Sequence, residues 1–251
     1  MSILGIDIGG SGIKGGLVDM YTGDLVGDRY RLPTPEDAKP NDVAKVVDQV
    51  RAHFEYEGPI GIGFPAIVRE GVALSAANID ESWINTNVEK LVGEMTGCPT
   101  FVLNDADAAG IAEMAFGAGK SVEHGVVLML TVGTGIGSAV FVNRHLLPNT
   151  EFGHLEIRGK DAERRASDAT RKRKNLSWED WAKRFQEYLN TIEMLIGPDL
   201  IIIGGGVSKN PDVFFPYLKV RAKMVSAELQ NEAGIIGAAM YAAQKSNLVK
   251  E

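Results

Sequence analysis

The sequence predicts an α/β protein built from two similar halves. Two apolar runs, at residues 3–8 and 126–132, each precede a glycine-rich turn and a second apolar run, which indicates a repeated strand, turn and strand unit. Apolar side chains recur at helical spacing between these units. The chain has 251 residues, 45% of them hydrophobic, so it can bury a core in each of two modest domains.

The first half begins with a predicted hairpin. The run at residues 3–8 ends in glycines and a second run continues through residues 17–18, so a tight turn joins two strands. A proline-containing loop follows at residues 33–40. Residues 43–54 then carry apolar side chains at helical spacing, which predicts a surface helix with the Asn or Asp at residues 41–42 as its cap.

Two further strands are predicted in the same half. Residues 60–68 and 100–103 are short apolar runs bounded by turn residues, and the second leads directly into Asn104, Asp105 and an Ala-rich helix through Phe116. Asp105 is therefore expected at the carboxyl end of a strand, the edge at which α/β sheets bind ligands.

The second half repeats this pattern. Residues 126–132 and 136–142 predict two strands around a glycine-rich turn, and residues 178–195 form an amphipathic pattern that Gly197 and Pro198 close. Residues 200–203 predict a buried strand. The small apolar residues of segment 234–244 predict a last helix that packs closely.

Composition limits the possible classes of protein. Cys98 is the only cysteine, which excludes an internal disulfide and a multi-thiolate zinc site and fits a reducing compartment. The chain lacks a long apolar run and a basic leader, which predicts a cytoplasmic protein with no membrane span. The net charge of −7 argues against general nucleic-acid binding, although basic residues cluster between positions 164 and 174.

The glycine clusters are candidate phosphate sites, because glycine lets backbone N–H groups approach a polyanion. A dinucleotide site is disfavoured, since Gly15 and Gly16 are poor helix material and no acidic residue ends a second strand at the usual distance. Hairpins or strand-to-helix turns without a ligand remain the alternatives. The candidate donor ligands are Gly9, Gly10, Ser11, Gly12, Lys14, Thr131, Gly133, Thr134, Gly135, Gly204, Gly205 and Gly206.

Two aspartates are candidates for chemistry. Asp105 can accept the proton of an attacking hydroxyl, which is most of what phosphoryl transfer asks of a protein side chain. A helix cap is its alternative role, and it is the preferred role of Asp107. Asp7 lies within an apolar run, where an unpaired carboxylate is costly, so we expect pairing with a lysine or an indirect link to Mg²⁺.

Polar residues suited to sugar hydroxyls follow the second hairpin. Residues 151–154 (EFGH) lie near Glu156 and Glu163, and desolvated hydrogen bonds from such groups discriminate strongly between ligands. Zinc binding is disfavoured, because His154 lacks a partner histidine at metal spacing. A solvated Glu and His pair remains the alternative.

Taken together, these residues resemble the ROK family of sugar kinases and repressors over nearly the whole chain. The segments that carry the resemblance, in the family's order, are residues 5–14 (GIDIGGSGIK), 103–109 (LNDADAA), 131–137 (TVGTGIG) and 151–154 (EFGH). The resemblance implies an actin-like (ribonuclease H-like) two-domain sugar kinase fold with a central mixed sheet in each domain. It places residues 1–105 with the terminal helix 234–251 in a smaller domain, residues 106–233 in a larger domain, and the active site in the cleft between them.

The resemblance also implies roles for site residues. Asp105 is the expected catalytic base towards a hexose hydroxyl, and Asn104, Glu151 and His154 are expected hexose ligands. The glycine clusters are the expected donor contacts, with Mg²⁺ linked indirectly to Asp7.

One departure from the family is informative. The family's zinc motif of cysteines ending in Glu is replaced here by residues 160–167 (KDAERRAS), so no zinc is expected and Glu163 is the candidate last sugar ligand, with Glu156 as the fallback. This stretch resembles the zinc-free branch, the actinobacterial polyphosphate glucokinases, as do residues 78–83 and 149–150. The branch implies glucose as acceptor, polyphosphate and ATP as donors, Asn78 as a further sugar ligand and a homodimer.

The basic cluster gains a candidate role from this branch. A polyphosphate chain can be held by clustered basic side chains as nucleic-acid backbones are. The alternative is a solvated loop ahead of the helix that begins near Trp178. The residues concerned are Arg164, Arg165, Arg171, Lys172, Arg173 and Lys174.

Other functions remain as alternatives. A sugar-sensing repressor is disfavoured, because the first strand begins at Ile3 and leaves no room for a preceding helix-turn-helix domain. A non-catalytic sugar-binding protein and an ATP-dependent kinase of mannose, fructose or an N-acetylhexosamine stay open.

Overall fold

The computed structural model describes residues 1–77 and 79–248. In this part of the chain, no helix combines the length and the apolar character that a bilayer crossing requires. The strands and helices, in chain order, are β1 Ser2–Gly9, β2 Gly12–Asp19, β3 Tyr30–Leu32, α1 Pro40–His53, β4 Ile60–Phe64, β5 Val68–Arg69, β6 Val72–Ala73, α2 Val88–Thr96, β7 Thr100–Asn104, α3 Asp105–Ala115, β8 Val126–Val132, β9 Ile136–Val142, β10 His145–Leu147, β11 Glu156–Ile157, β12 Lys160–Asp161, α4 Ala162–Ala166, α5 Asp168–Arg173, α6 Trp178–Ile196, β13 Leu200–Gly204, β14 Lys223–Ser226 and α7 Ala233–Lys245.

The chain divides into two compact units. The first comprises Met1–Ala112 together with the chain from Glu232 onward, and the second comprises Glu113–Asn231. The sequence places the corresponding boundaries at residues 105 and 234. Helix α3 therefore begins in the first unit, and its last residues pack with the second.

The first unit is built on a five-stranded sheet of order β3-β2-β1-β4-β7. β1 pairs with β2 in antiparallel fashion, whereas β4 runs parallel to both β1 and β7. Helix α7 packs on β1 and β4, as the small residues of its segment predict. A Cβ at Gly61 would lie 1.8 Å from the carbonyl oxygen of Ala238, so glycine in β4 allows this close approach.

The second unit is built on a five-stranded sheet of order β10-β9-β8-β13-β14. β8 and β9 are antiparallel, and β13 runs parallel to β8 and β14. The hydroxyl of Ser177 caps α6, and Gly197 ends it in the left-handed conformation. Burying each large side chain of its apolar face contributes about 1.5–3 kcal/mol. The largest of these side chains are Trp181, Phe185, Tyr188, Leu189 and Ile192.

The predicted α/β class and the repeated unit are confirmed. In each sheet an antiparallel hairpin is extended on one side by two parallel strands. The carboxyl ends of these strands carry the predicted site residues, because β7 ends at Asn104 and β13 at Gly204.

Two local predictions are wrong, and one alternative is excluded. Helix α1 begins at Pro40 and its cap residue is Lys39, with no side-chain cap, because the fixed φ of proline suits the first helical position. Residues 60–68 form two strands rather than one, and Pro65 lies in the gap between them. The basic segment is not a solvated loop: it forms the helices α4 and α5.

Candidate active site

The first glycine turn lies between β1 and β2. Gly9 pairs with Gly12, so Gly10 and Ser11 form the turn. The guanidinium of Arg31 donates to the carbonyl of Ser11 at 2.6 Å, and the hydroxyl of Thr34 donates to the carbonyl of Gly9. Neither side chain is part of a glycine motif, so sequence patterns alone did not identify these anchors.

Asp7 and Lys14 lie opposite one another across the same hairpin. The Lys14 Nζ lies 2.9 Å from the Asp7 Oδ2, so the expected lysine pair is present. Gly234 at the start of α7 adjoins the carboxylate, and a Cβ there would lie 3.3 Å from Asp7 Oδ1. One carboxylate with a hard oxygen donor fits a Mg²⁺ ion that is held mainly by donor phosphates.

A cavity of about 300 Å³ opens beside this turn. Its wall includes Gly9 and Gly10 together with the acidic residues Glu36, Asp37 and Asp80. The hydroxyl and then the backbone N–H of Ser82 hold the pKa of Asp80 below its ordinary value. The acidic residues of this wall can offer acceptors to hydroxyl groups. The predicted ligand Asn78 lies outside the described residues, and its two neighbours line this cavity.

Asn104 and Asp105 occupy the junction of β7 and α3. Asn104 is 6% exposed, its Oδ1 accepts from the backbone N–H groups of Ala106 (2.8 Å) and Asp107 (3.1 Å), and its Nδ2 donates to Ala66. Asn104 is therefore the cap of α3, and a capping role for Asp107, the third residue of the helix, stays a prediction. One Nδ2 proton of Asn104 is left for a ligand. Asp105 is half-buried as the first helical residue, and its Oδ1 accepts from Ala106.

The second glycine turn adjoins the third glycine cluster. Gly133, Thr134 and Gly135 connect β8 to β9, and Gly204 pairs with Thr131 across the sheet. Gly205 has a φ of +77°, and a Cβ there would lie 2.5 Å from the carbonyl oxygen of Val132. Glycine is thus required where the two segments touch, and a surface of exposed backbone results.

Glu151, His154 and Glu163 lie together in the second unit. A Cβ at Gly153 would lie 2.0 Å from the carbonyl oxygen of Ile136, so the turn holding His154 packs tightly on β9. The backbone N–H of Ile136 donates to Glu163 Oε2 at 3.3 Å. Burial raises the pKa of Glu151, His154 opposes this shift, and the Glu163 charge adds to it.

His154 lies between two carboxylates. Its Nε2 is 3.8 Å from Glu151 Oε2, and its Nδ1 is 3.4 Å from Asp161 Oδ2. Asp161 was not among the predicted site residues, because only the β11–β12 hairpin brings it back to His154. The ligand atoms of His154, Asp161 and Glu163 lie within 4.8 Å of one another and could hold a cation, so the absence of zinc stays a prediction. Glu156, the alternative to Glu163, is exposed and is not in this group.

The predicted basic residues lie on α4, on α5 and directly after α5. Asp168 is 6% exposed and pairs with Arg171 at 2.8 Å and with Lys172 at 2.7 Å. The Arg171 guanidinium also lies over the ring of Trp178, 3.9 Å from its centre. Part of the positive charge is therefore neutralised within the protein.

Known proteins provide an independent comparison. A family model described as the ROK family matches residues 3–171. A polyphosphate glucokinase of Mycobacterium tuberculosis (strain CDC 1551 / Oshkosh) is 52% identical over 237 residues, covering 94% of this chain and 89% of the relative.

Solved structures agree with this comparison. An inorganic polyphosphate/ATP-glucomannokinase from Arthrobacter sp. strain KM has a TM-score of 0.94 and 47% identity, covering 97% of this chain and 99% of that chain. A ROK family glucokinase from Streptomyces griseus, solved with glucose and AMPPNP, shares the fold with a TM-score of 0.83 at 24% identity, covering 97% and 100%. The predicted actin-like fold is confirmed by this likeness. By the matched model, the close relative and the fold, the chain belongs to the ROK family.

Proposed function

We propose that the protein is a glucokinase that transfers a phosphoryl group from inorganic polyphosphate, and from ATP, to the 6-hydroxyl of glucose. The observation that carries this proposal is the likeness to a polyphosphate/ATP-glucomannokinase over nearly the whole chain, at 47% identity. The 52% identity to a polyphosphate glucokinase supports the same donor and acceptor.

Asp105 acts as the general base in this proposal. Its carboxylate accepts the proton of the glucose 6-hydroxyl while the hydroxyl oxygen bonds to the terminal phosphorus of the donor. The bond between that phosphorus and its bridging oxygen breaks, and the shortened polyphosphate or ADP leaves with the electron pair. The Asn104 cap fixes the first turn of α3 and with it the position of Asp105.

The proposed glucose ligands are Asn78, Asn104, Glu151, His154 and Glu163. The carboxylates accept hydrogen bonds from sugar hydroxyls, and burial of Glu151 strengthens such bonds by excluding competing water.

The donor ligands are proposed at the glycine turns. Backbone N–H groups and the Thr131 and Thr134 hydroxyls can donate to phosphate oxygens. Mg²⁺, when bound, offsets the charge of the transferring phosphoryl group, and Asp7 would hold it indirectly. Lys14 orients Asp7 through their ion pair. For polyphosphate, the proposed additional ligands are Arg164, Arg165, Arg171, Lys172, Arg173 and Lys174.

Mannose is the second acceptor that an observation favours, because the Arthrobacter structure is a glucomannokinase. A cytoplasmic location and a homodimer complete the proposal. The single cysteine, which is buried, is compatible with a reducing compartment.

Formation of glucose 6-phosphate by purified protein with Mg²⁺ tests the proposal, with long-chain polyphosphate and ATP compared as donors and mannose as a second acceptor. Asp105→Asn is expected to lower kcat by about 10²–10⁴-fold, the usual range for loss of a general base. Asp28→Asn, at an exposed aspartate, is the matched control and should keep full activity. Full turnover by the Asp105→Asn variant would exclude Asp105 as the base, and no turnover by the wild type would leave a sugar-binding protein.

A further inference from the structure

The second unit carries an excess of cations on one group of elements. Ten basic side chains lie on the β11–β12 hairpin, on α4, on and directly after α5, and in the first half of α6, and one of them, Lys183, pairs with Glu179 and Asp180 within α6. Three carboxylates on the same elements, Asp161, Asp168 and Glu187, form ion pairs with five of them. The five paired cations are Arg158, Arg164, Arg165, Arg171 and Lys172.

The pairing fixes where these elements lie. Glu187 on α6 accepts from Arg158 of the hairpin at 2.6 Å and from Arg165 of α4 at 2.7 Å. Arg184 precedes Glu187 by one helical turn, so it lies on the same face of α6. The Thr170 hydroxyl of α5 contacts the Arg164 carbonyl at 3.3 Å, which places α5 against α4. The hairpin, both short helices and this face of α6 therefore form one surface.

Four cations on this surface make no ion pair within the described part of the chain: Lys160, Arg173, Lys174 and Arg184. We call these four the cation track. Asp180 precedes Arg184 by one turn, but it pairs with Lys183 at 3.2 Å and accepts from the Ser177 hydroxyl.

The members of the cation track repel one another. The charge of Arg184, then desolvation and the charges of Lys160 and Arg173, lower the pKa of Lys174, which is itself exposed. A surface on which like charges gather without partners is stabilised by a bound polyanion.

The cation track continues from the second glycine turn. The backbone N–H of Ala169, the second residue of α5, donates to the carbonyl of Gly133 at 3.1 Å. Gly206 of the third glycine cluster adjoins Asp168. At 1.5 Å per residue, α5 carries the chain about 9 Å from Asp168 to Lys174. The second glycine turn and the Arg173 and Lys174 members of the cation track thus lie at opposite ends of one short helix.

We propose that the cation track binds the distal phosphates of a linear polyphosphate whose terminal phosphoryl group lies at the second glycine turn. This inference rests on the proposed function and refines it: of the six basic residues predicted from the sequence, Arg173 and Lys174 contact the donor chain, and Lys160 and Arg184 join them. The paired cations hold the surface together instead. ATP ends in a nucleoside and has no distal phosphates, so the cation track distinguishes long polyphosphate from ATP and from tripolyphosphate.

The test compares three donors in the double variant Lys174→Gln/Arg184→Gln. Its KM for long-chain polyphosphate is expected to rise on the order of tenfold, because two phosphate contacts are lost. The KM values for tripolyphosphate and ATP should stay within about twofold of the wild type, since their phosphates end near the glycine turns. The control Lys219→Gln/Lys223→Gln removes the same charge from exposed lysines of the same unit and should change none of the three.

Equal KM increases for all three donors, or no increase for long-chain polyphosphate, would refute the proposal that the cation track binds the distal phosphates. Wild-type protein that uses ATP and not polyphosphate would instead refute the proposed donor. In that case, equal binding of long-chain polyphosphate by wild type and double variant in a calorimetric titration would also overturn the track. Displacement of polyphosphate by single-stranded DNA at equal concentration would show a general polyanion surface. Circular dichroism and thermal melting verify that the variants fold.

Discussion

At the scale of single residues, His154 is held from both sides of its ring. Asp161 Oδ2 lies 3.4 Å from Nδ1, and Glu151 Oε2 lies 3.8 Å from Nε2. A carboxylate at Nδ1 favours the tautomer with its proton on that nitrogen, which leaves Nε2 as an acceptor for a sugar hydroxyl. Asp161 is a positioning residue in this arrangement, because it acts through His154.

Asp161→Ala is therefore expected to raise the KM for glucose about fivefold, equivalent to about 1 kcal/mol for one hydrogen bond, with little change in kcat. Asp161→Asn keeps an acceptor oxygen and should recover part of the loss. Steady-state kinetics with varied glucose and with each varied donor measures KM and kcat separately. Equal effects on the glucose and donor KM values would contradict a role confined to the sugar side.

The raised pKa of Glu151 predicts that stability and glucose binding change with pH in opposite directions. Burial raises its pKa above the ordinary glutamate value of 4.5, so the folded state favours the protonated form. Its contribution to stability is complete below that value and is lost as pH rises through the raised pKa. In the proposed function Glu151 binds glucose as an ionised acceptor, so kcat/KM should rise over the same interval.

The difference in melting temperature between wild type and Glu151→Gln, followed from below pH 4.5 upward, isolates this group. The wild type should lose stability relative to the variant as pH increases, and the acid limb of its kcat/KM profile should lie above an ordinary glutamate value. A difference that stays constant with pH would show that Glu151 has the same pKa in both states.

At the scale of elements, glycine positions decide how closely strands and helices approach. Gly61→Ala is expected to destabilise the first unit by about 1–3 kcal/mol, because the new Cβ would lie 1.8 Å from the Ala238 carbonyl and α7 must shift. Gly93→Ala, within α2, is the control. Its new Cβ would lie 3.4 Å from the nearest atom, so this substitution should leave the free energy of unfolding unchanged or raise it. Urea unfolding measures both, and equal stabilities would show that α7 is not closely packed at Gly61.

The elements that could be predicted are those with strong local patterns. The repeated hairpins followed from apolar runs ending in glycines, and α6 followed from its amphipathic spacing with Gly197 at its end. Helices α4 and α5 could not be predicted, because a dense run of charges hides their apolar side. What orders α5 is the Ser167 cap and the burial of Asp168, and both depend on neighbouring elements.

At the scale of the whole molecule, the two units repeat one strand arrangement, and Asn104, Gly204 and the glycine turns all lie at strand ends. Sequence order was sufficient to place Asn104 and the glycine turns. Sequence order could not show which charged residues form ion pairs, because Glu187 contacts Arg158 and Arg165 only through the packing of α6 on α4 and on the β11–β12 hairpin. The acidic cavity beside Gly9 was missed for the same reason: its wall comes from four separate segments of the chain.

The overall charge gives the last prediction. The chain carries a net charge of −7, so a polyanionic donor is repelled at long range and binds only through local cations, and its affinity must depend steeply on salt. With four contacts in the cation track, the logarithm of KM for long-chain polyphosphate should rise with the logarithm of salt concentration with a slope of about 3, by analogy with single-stranded nucleic acids. The KM for uncharged glucose, measured in the same salt series at saturating donor, should stay constant and provides the control. A flat salt series for long-chain polyphosphate would mean that backbone N–H groups of the glycine turns hold the donor without the basic surface.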